Sequence, residues 1–306
     1  MDCLVTGAMK AALYTTFYRA AAMYFAPWYK SVRSQSDRSF DLWIGLDDIS
    51  ACEAQEHTGC GLSASWVEND LDRSPASIRN KAFRMLSEQY AYIILADADD
   101  VLEQHRIESA KRALENYDVV ACALRLIDQN GRDLNRVFMP NPSVELDEML
   151  PKQNVFGLSN SAYCAETLKR CLPIPHDSVL SDWFLATGAW CGGARLYFDD
   201  IPQMRYRQHP SNTAQIMLPF SAPQVLSATK LVLTHYSHVL SAPWSASSEK
   251  IEKIRTARMR AEHFYEAIAS SPDCLAEYVS ALNKLKPRYV WWWCVANPDL
   301  EILWTN

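Results

Sequence analysis

The sequence lacks the features that mark membrane-spanning, secreted and zinc-binding proteins. No apolar run reaches the roughly 18 residues that a transmembrane helix needs, and the N-terminal segment MDCLVTGAMK has no long apolar core of the signal-peptide kind. The nine cysteines are scattered and form no C-x-x-C pair, which argues against a zinc site and favours reduced, mostly buried thiols. We therefore expect a cytoplasmic protein that is soluble or peripheral at the inner face of the membrane.

An excess of basic residues is also absent, since the formal net charge is −6 at pH 7. Nucleic acid is therefore a poor partner, because neutralising its phosphates requires clustered Lys and Arg. A local basic pocket for a diphosphate is still compatible with this balance. The 306 residues, 49% of them hydrophobic, can bury a full core in one large domain or in a domain with an appendage.

Short apolar runs alternate with helical stretches up to about residue 140, which predicts an α/β sheet. The first buried strand is predicted at residues 3–6, followed by a helix over 15–35 that is kinked at Pro27. A second buried strand is predicted at 42–46, and a weak alternation near 62–67 indicates a third.

The segment that follows carries the clearest local signals. Ser74 is predicted as an N-cap, with Pro75 at the first position of its helix. A strand apolar on both faces is predicted at 92–96, which places it centrally in the sheet. The remaining elements predicted here are a helix over 103–116 and two strands, near 118–127 and 134–139, around the Asn130-Gly131 turn.

The second half of the chain becomes mainly helical. A helix that begins near Ser178 is predicted to carry Asp182 in its first turn and to end at Gly192-Gly193, before a strand at 194–198. A connector near 216–222 divides an α/β domain, residues 1–220, from a helical extension, residues 221–306. The helices predicted in the extension cover 222–241, 246–270 and 273–285.

Asp97, Asp99 and Asp100 directly follow the predicted central strand. Three carboxylates in four residues repel one another, and a cation is the usual compensation. Ligands of open α/β sheets bind beyond the carboxyl ends of the strands, and hard oxygen ligands suit Mg²⁺ or Mn²⁺. The alternative is a solvated acidic turn that caps the next helix, whose N-terminal end favours carboxylates.

Two further groups of residues are candidates for the same cleft. Asp47 and Asp48 end the second strand, where a carboxylate can accept hydrogen bonds from a nucleobase or a ribose; a polar turn is the alternative. Arg79, with Asn80 and Lys81 beside it, lies early in the next helix and could approach a diphosphate, which favours Arg forks and helix N-termini. An ordinary solvated helix face is the alternative.

Taken in order, these motifs resemble the inverting glycosyltransferases of family 2, which have the GT-A fold. In that family a strand ending in Asp-Asp (here WIGLDDIS) precedes an Arg- and Asn-containing helix (SIRNKAFRMLSEQ), and a strand with a D-x-D-D end follows (YIILADADDVL). A helix start with an Asp (VLSDWFL) and a Tyr-Arg-x-His stretch (YRQH) complete the pattern over roughly residues 1–215. The resemblance implies a Rossmann-like nucleotide-binding mixed sheet flanked by helices, with residues 1–220 as the catalytic domain.

The resemblance also implies a role for each matching residue. Asp182 corresponds to the catalytic base. Thr6 corresponds to a nucleotide contact, and Asp47 or Asp48 to the contact with the base. Arg79 matches a base or phosphate contact, and Asp97 matches the contact with the ribose. Asp99 matches a metal position, and Asp100 is implied for the ribose or the metal.

Two residues near the end of the pattern are assigned from their own chemistry. His209 is a candidate metal ligand or phosphate contact, and a structural role is the alternative. Arg207, like Arg205, is a candidate for steadying a leaving diphosphate, with pairing to nearby acids as an equal alternative.

The implied activity is metal-dependent, inverting transfer of a sugar from a UDP-, GDP- or dTDP-sugar to a carbohydrate or lipid-linked carbohydrate acceptor, in polysaccharide or glycoconjugate synthesis. A base is needed because a free alcohol is a weak nucleophile near neutral pH, and Mn²⁺ or Mg²⁺ stabilises charge on the departing diphosphate. Two departures from the family are Val5-Thr6-Gly7-Ala8 in place of Pro-Thr-Tyr-Asn and Ser181 in place of Glu.

The same residues leave two alternatives to a glycosyltransferase. A sugar-phosphate nucleotidyltransferase is disfavoured because no Gly-rich, Arg-containing phosphate loop follows Val5. A catalytically inactive carbohydrate-binding protein on the same fold is the second alternative, against which Asp97, Asp99 and Asp182 argue.

The extension carries an aromatic cluster, Trp291-Trp292-Trp293, preceded by basic residues. Such a composition suits peripheral contact with a membrane surface. The alternative is that these rings seal the helical extension onto the catalytic domain.

Overall fold

A mixed sheet forms the centre of the structure, a computed structural model that describes residues 10–59, 61–68 and 74–305. In chain order its strands are β1 (Ala11–Tyr18), β2 (Phe40–Asp47), β3 (Ser65–Glu68), β4 (Tyr92–Leu95), β5 (Val101–Leu102), β6 (Val119–Ile127), β7 (Asp133–Phe138), β8 (Ser161–Cys164) and β9 (Leu196–Arg207). They are arranged in the order β3-β2-β1-β4-β8-β6-β9-β5, and β7 pairs with β6.

Most of these strands run in one direction. β3, β2, β1 and β4 are mutually parallel, and β8 is antiparallel to both β4 and β6. β6 and its parallel partner β9 therefore run the same way as β4. The carboxyl ends of β1, β2, β4, β6 and β9 consequently lie at one edge of the sheet, which we call the carboxyl edge.

Helices flank the sheet and build the C-terminal part of the chain. They are α1 (Phe25–Arg33), α2 (Ala51–Thr58), α3 (Pro75–Gln89), α4 (Arg106–Leu114), α5 (Leu146–Met149), α6 (Ala165–Arg170), α7 (Ser181–Cys191), α8 (Ala222–Ser241), α9 (Ser248–Ser270) and α10 (Pro272–Leu282), with 3₁₀ helices at Arg19–Tyr24 and Pro298–Leu303. The mixed α/β architecture with a helical C-terminal extension expected from the sequence is confirmed.

Local signals explain several of these elements. Ser74 caps α3, since its hydroxyl oxygen accepts the backbone N–H of Ser77, and Pro75 occupies the first helical position. β4 is buried along its whole length, as expected for a central strand. Gly131 takes the left-handed conformation, with φ of 83°, in the turn between β6 and β7.

The prediction of a helix over 15–35 was wrong for its first part. Residues 11–18 form β1, between β2 and β4, and the helix α1 begins only at Phe25. The run from Tyr14 to Tyr18 contains only β-branched and aromatic residues, which suit a pleated, buried surface. The strand predicted at 3–6, and with it Thr6, lies outside the described residues.

The extension packs against the sheet-containing part of the chain. The three indoles of Trp291, Trp292 and Trp293 are 5%, 7% and 8% exposed, so they belong to the core. A Cβ added to Gly157 would overlap the Trp291 ring, which explains why a glycine is needed at that contact. The Trp cluster therefore seals the extension onto the domain, and the division at residue 220 stays a prediction.

Among the described residues, no helix combines the length and apolar character that crossing a bilayer requires.

Candidate active site

The carboxyl edge gathers most of the residues singled out in the sequence. Asp47 ends β2 beside Tyr18, its partner at the end of β1. The turn containing Asp97 directly follows β4, and Arg207 ends β9. Because the carboxyl ends of parallel strands are where open α/β sheets bind ligands, this edge is the candidate active site.

One group at this edge consists of Asp47, Arg79, Asp97 and Asp182, which we call the open cluster. The positive charge of Arg79, early in α3, acts on the pKa of all three carboxyl groups and lowers each of them. Yet the Arg79 guanidinium makes no hydrogen bond or ion pair with any residue that the structure describes. Its charge is therefore available to a ligand.

The carboxyl groups of the open cluster hold protons more tightly than usual. Burial raises the pKa of Asp97 to about 7, and the negative charges of Asp99 and Asp182 add to this effect. Burial also raises the pKa of Asp182 to about 6, and it raises the pKa of Asp47. Such shifts are typical of catalytic and ligand-binding carboxylates, although structural clusters show them too.

Asp182 is held in a defined orientation in the first turn of α7. Its Oδ1 accepts the backbone N–H of Trp183 at 2.8 Å, and its Oδ2 accepts the amide Nδ2 of Asn154 at 2.9 Å. Asn154 is fully buried, and its own Oδ1 accepts the backbone N–H of Phe156 at 2.9 Å. Asn154 therefore presents its N–H₂ group to the carboxylate, and no feature of the sequence had indicated this residue.

A second group at the same edge consists of Tyr18, Asp99, Asp100, Arg207 and His209, which we call the framework cluster. Asp99 Oδ2 accepts the Tyr18 hydroxyl at 2.9 Å and lies 3.0 Å from His209 Nε2. Asp100 is 1% exposed, and its Oδ1 accepts the backbone N–H of Arg207 at 2.7 Å. These contacts join the turn after β4 to the ends of β1 and β9.

Asp100 also accepts a hydrogen bond from the Ser159 hydroxyl on its second oxygen. Burial, with the neighbouring charges of Asp99 and Asp97, raises the pKa of Asp100 well above its usual range. Protein donors engage both oxygens of Asp100, which therefore holds the loop before β8 and the end of β9 together. Its implied contact with the ribose or the metal stays a prediction.

The side chain of Arg207 is similarly engaged inside the protein. Its Nε donates to the carbonyl oxygen of Asp99 at 2.7 Å, and one terminal nitrogen donates to the carbonyl oxygens of Asp128 and Gln129 at 3.2 Å each. The guanidinium also lies 4.5 Å from the centre of the Tyr24 ring, and the residue is 3% exposed. These contacts give Arg207 a structural role, and the expected contact with a diphosphate stays a prediction.

Asp48 points away from the open cluster. It has a φ of 52°, is exposed, and lies 3.8 Å from the Arg19 guanidinium. Of the two carboxylates that end β2, Asp47 is thus the one that shares the charge of Arg79.

The residues present can be tested against the divalent metal that the sequence implied. Within the described ranges, no group of three or more His, Cys, Asp or Glu side chains is arranged to hold a metal ion. Asp99 Oδ2 and His209 Nε2 are nevertheless 3.0 Å apart, about the separation of neighbouring ligands on an octahedral ion with bonds of about 2.1 Å. Two protein ligands are compatible with Mg²⁺ or Mn²⁺ where a diphosphate completes the shell.

Comparisons with known proteins support the fold but give no family from sequence. No family model matches the chain, and no curated protein matches it in sequence. The solved structures that resemble it include the mannosyltransferase PcManGT from Pyrobaculum calidifontis in complex with GDP-Man and Mn²⁺. That structure has a TM-score of 0.60 and 14% identity, with 92% of this chain and 77% of that chain covered.

Structures of S. aureus TarS are also similar. The 1–349 fragment in complex with UDP gives a TM-score of 0.57 at 14% identity, covering 90% of this chain and 79% of that chain. The same fragment with UDP-GlcNAc gives 0.59 at 14% identity, covering 90% and 80%. At these identities the likeness establishes a shared fold, which is the mixed sheet flanked by helices that the sequence predicted.

Proposed function

We propose that the protein is a glycosyltransferase that transfers a sugar from a nucleotide-sugar donor to a hydroxyl group of a carbohydrate or lipid-linked carbohydrate acceptor, with inversion at the anomeric carbon. The observation that carries the proposal is the open cluster. An Arg79 guanidinium without a hydrogen-bond or ion-pair partner among the described residues lies near three carboxyl groups of raised pKa at the carboxyl edge. Solved structures that share the fold hold UDP, UDP-GlcNAc or GDP-Man, which agrees with a nucleotide-sugar donor.

In this proposal the open cluster binds the donor and supplies the base. Arg79 pairs with the diphosphate, since a guanidinium matches phosphate oxygens in charge and geometry. Asp47 and Asp97 accept hydrogen bonds from the nucleobase and the ribose. Asp99 and His209 would hold Mn²⁺ or Mg²⁺, which when bound neutralises charge on the leaving diphosphate.

Asp182 acts as the general base. With a pKa of about 6, its carboxylate is mostly ionised at neutral pH and still basic enough to accept a proton in the transition state. It takes the proton of the acceptor hydroxyl as that oxygen bonds to the anomeric carbon, and the nucleoside diphosphate departs with the electrons of the broken bond. Asn154 keeps the carboxylate oriented and favours its charged form by donating a hydrogen bond.

A thermal-shift experiment with UDP, GDP and dTDP, each with Mn²⁺ or with EDTA, tests the proposal. We expect at least one nucleotide to raise the melting temperature, and to raise it more with Mn²⁺. A ligand at about 100 times its Kd stabilises a protein by about 2.7 kcal/mol. If none of the three stabilises the protein with or without Mn²⁺, the proposed donor site is refuted.

The variant Asp99→Ala tests whether Asp99 is responsible for the Mn²⁺-dependent part of the rise in melting temperature. We expect Asp99→Ala to lose the additional stabilisation by Mn²⁺ while keeping a smaller shift in EDTA. Asp200→Ala is the matched control, because Asp200 is an exposed carboxylate on β9 outside both clusters. A full Mn²⁺ response in Asp99→Ala would remove Asp99 from the metal site.

A further inference from the structure

A cavity of about 220 Å³ lies between the connector that follows β9, helix α8 and the Trp291–Trp293 segment. It adjoins the carboxyl edge, because its lining begins at Pro210 and Asn212. The Asn212 backbone N–H donates to the His209 carbonyl oxygen at 3.1 Å, and His209 contacts Asp99. A single backbone hydrogen bond thus links a residue of the cavity wall to His209 of the framework cluster. The cavity has no role in the proposed donor site.

Trp292 lines this cavity in an unusual backbone conformation. Its φ is 62°, in the left-handed region that bulky residues rarely adopt. Its neighbours pack on other rings: Trp291 lies 4.1 Å from Phe138, and Trp293 lies 6.1 Å from Phe220, centroid to centroid. Trp292 has no such ring partner in the described part of the chain, and it lines the cavity.

The polar groups around the cavity are neutral, and several have no protein partner. None of the described residues that line it carries a charged side chain. The hydroxyls of Thr213 and Ser227 and the indole N–H of Trp292 make no hydrogen bond with the residues that the structure describes. Gln224 uses its Oε1 to cap α8, which leaves its N–H₂ group uncommitted, while Gln215 uses only its N–H₂ group. Both donors and acceptors therefore remain for a ligand.

We infer that this cavity binds one neutral sugar ring of the acceptor. A sugar ring presents an apolar C–H face, which suits an indole, and a rim of hydroxyls, which pair with amides and hydroxyls rather than with charges. Small-molecule sites combine aromatic walls with a few polar groups in this way, and the volume is suited to a single ring rather than an oligosaccharide. The inference rests on the proposed function, because it assigns the acceptor side of the same reaction.

Saturation-transfer NMR with three neutral probes tests the inference: methyl α-mannoside, methyl β-glucoside and the methyl β-glycoside of N-acetylglucosamine. We expect at least one probe to bind the wild-type protein. Ser227→Leu should abolish that signal, because a leucine at this exposed helical position fills the cavity without disturbing the core. Ser237→Leu is the matched control, since Ser237 is an exposed serine on the same helix that does not line the cavity.

The outcomes separate the inference from the proposed function. If no probe binds the wild-type protein while a nucleoside diphosphate still raises its melting temperature, the sugar subsite is refuted and the donor site stands. Equal probe signals in the wild-type protein and in Ser227→Leu also refute it, provided that Ser227→Leu and Ser237→Leu melt at the same temperature. A signal lost only in Ser227→Leu supports the subsite.

Discussion

The open cluster and the framework cluster lie at the same edge of one sheet, yet their charges are satisfied in opposite ways. Arg79 has no protein partner in the described structure, whereas Arg207 donates three hydrogen bonds and covers the Tyr24 ring. Asp97 has no hydrogen-bond donor from the described residues, whereas both oxygens of Asp100 accept hydrogen bonds.

This difference separates Asp100 and Arg207, which hold the site together, from Arg79 and Asp97, which are available to a ligand. Buried polar groups are normally paired, and an unpaired one costs free energy. The framework cluster follows this rule and joins β1, β4 and β9. Arg79 and Asp97 of the open cluster depart from it among the described residues, and the raised pKa of Asp97 reflects the cost of its burial beside the charges of Asp99 and Asp182. A bound nucleotide and a cation would remove that cost.

The largest effect is expected for Asp182→Asn, which keeps the shape of the open cluster and removes its base. General-base catalysis contributes about 10²- to 10⁴-fold, so transfer should fall by about that factor while nucleotide-sugar affinity changes little. Steady-state transfer and donor binding are measured in parallel, and the anomeric configuration of the product is assigned by NMR. We expect inversion, because one base and one displacement leave no covalent sugar–enzyme intermediate.

Asp177→Asn is the matched control for this variant. Asp177 lies just before α7 and is mostly exposed, and one of its oxygens is 3.0 Å from His238 Nε2. Ordinary turnover in Asp182→Asn, or a product of retained configuration, would show that the base is misplaced. Loss of transfer in Asp177→Asn alone would move the assignment to that residue.

The second prediction replaces each of the two arginines by methionine and compares the two variants. Arg207→Met should lower the free energy of unfolding by about 1–3 kcal/mol, because it leaves the buried carbonyl oxygen of Asp99 without its donor. Arg79→Met should change it by less than about 1 kcal/mol and should weaken nucleoside diphosphate binding about 10- to 100-fold, as expected for the loss of charge-assisted hydrogen bonds. Urea unfolding and isothermal titration provide the two measurements.

Arg207→Lys serves if Arg207→Met fails to fold, since it keeps the charge and loses the fork geometry. The free energy of unfolding of Arg207→Lys should be lower than that of the wild-type protein and of Arg79→Met, but higher than that of Arg207→Met. Equal losses of stability in Arg79→Met and Arg207→Lys would contradict the distinction between the two clusters.

The sequence singled out the members of both clusters except Tyr18, but not the contacts that join them. Asp47, Asp97 and Asp182 were singled out because each stands at a strand or helix end with strong local signals. Those signals were confirmed for β2, β4 and α3, and Asp182 lies in the first turn of α7 as predicted. Local periodicity and capping are sufficient for elements of this kind.

The framework contacts depend on pairings between distant parts of the chain. Tyr18 is 81 residues from Asp99, and Arg207 is 107 residues from Asp100. No local pattern encodes such contacts, because the sheet order that creates them is a property of the whole fold. Tyr18 could have been found only if β1 had been placed at residues 11–18, and Arg207 carried no local sign that its fork would face inward.

The smallest effect is expected for Asp97, whose charged carboxylate lowers the free energy of unfolding. Its pKa in the folded protein is about 7, above the value of about 3.9 in an unfolded chain, so the folded state binds the proton more tightly between these values. Stability contributed by the protonated group is therefore present below about pH 4 and lost as the pH rises through 7. Asp97→Asn carries no charge, so it should be more stable than the wild-type protein at pH 8, by about 1 kcal/mol after allowance for partial exposure.

That advantage should shrink to about one fifth at pH 4.5, because Asp97 is protonated in the folded protein there and the pH is only slightly above the pKa of the unfolded chain. Urea midpoints at pH 4.5, 6.5 and 8 in EDTA measure the difference directly, and taking the difference between variants cancels the titrating groups that do not interact with Asp97. Asp48→Asn is the control, because Asp48 is exposed and asparagine also tolerates its positive φ; it should change the midpoint little at any pH. An advantage of Asp97→Asn that is the same at all three pH values would mean that the carboxyl group is not under electrostatic strain, and that Asp97 belongs with the framework cluster.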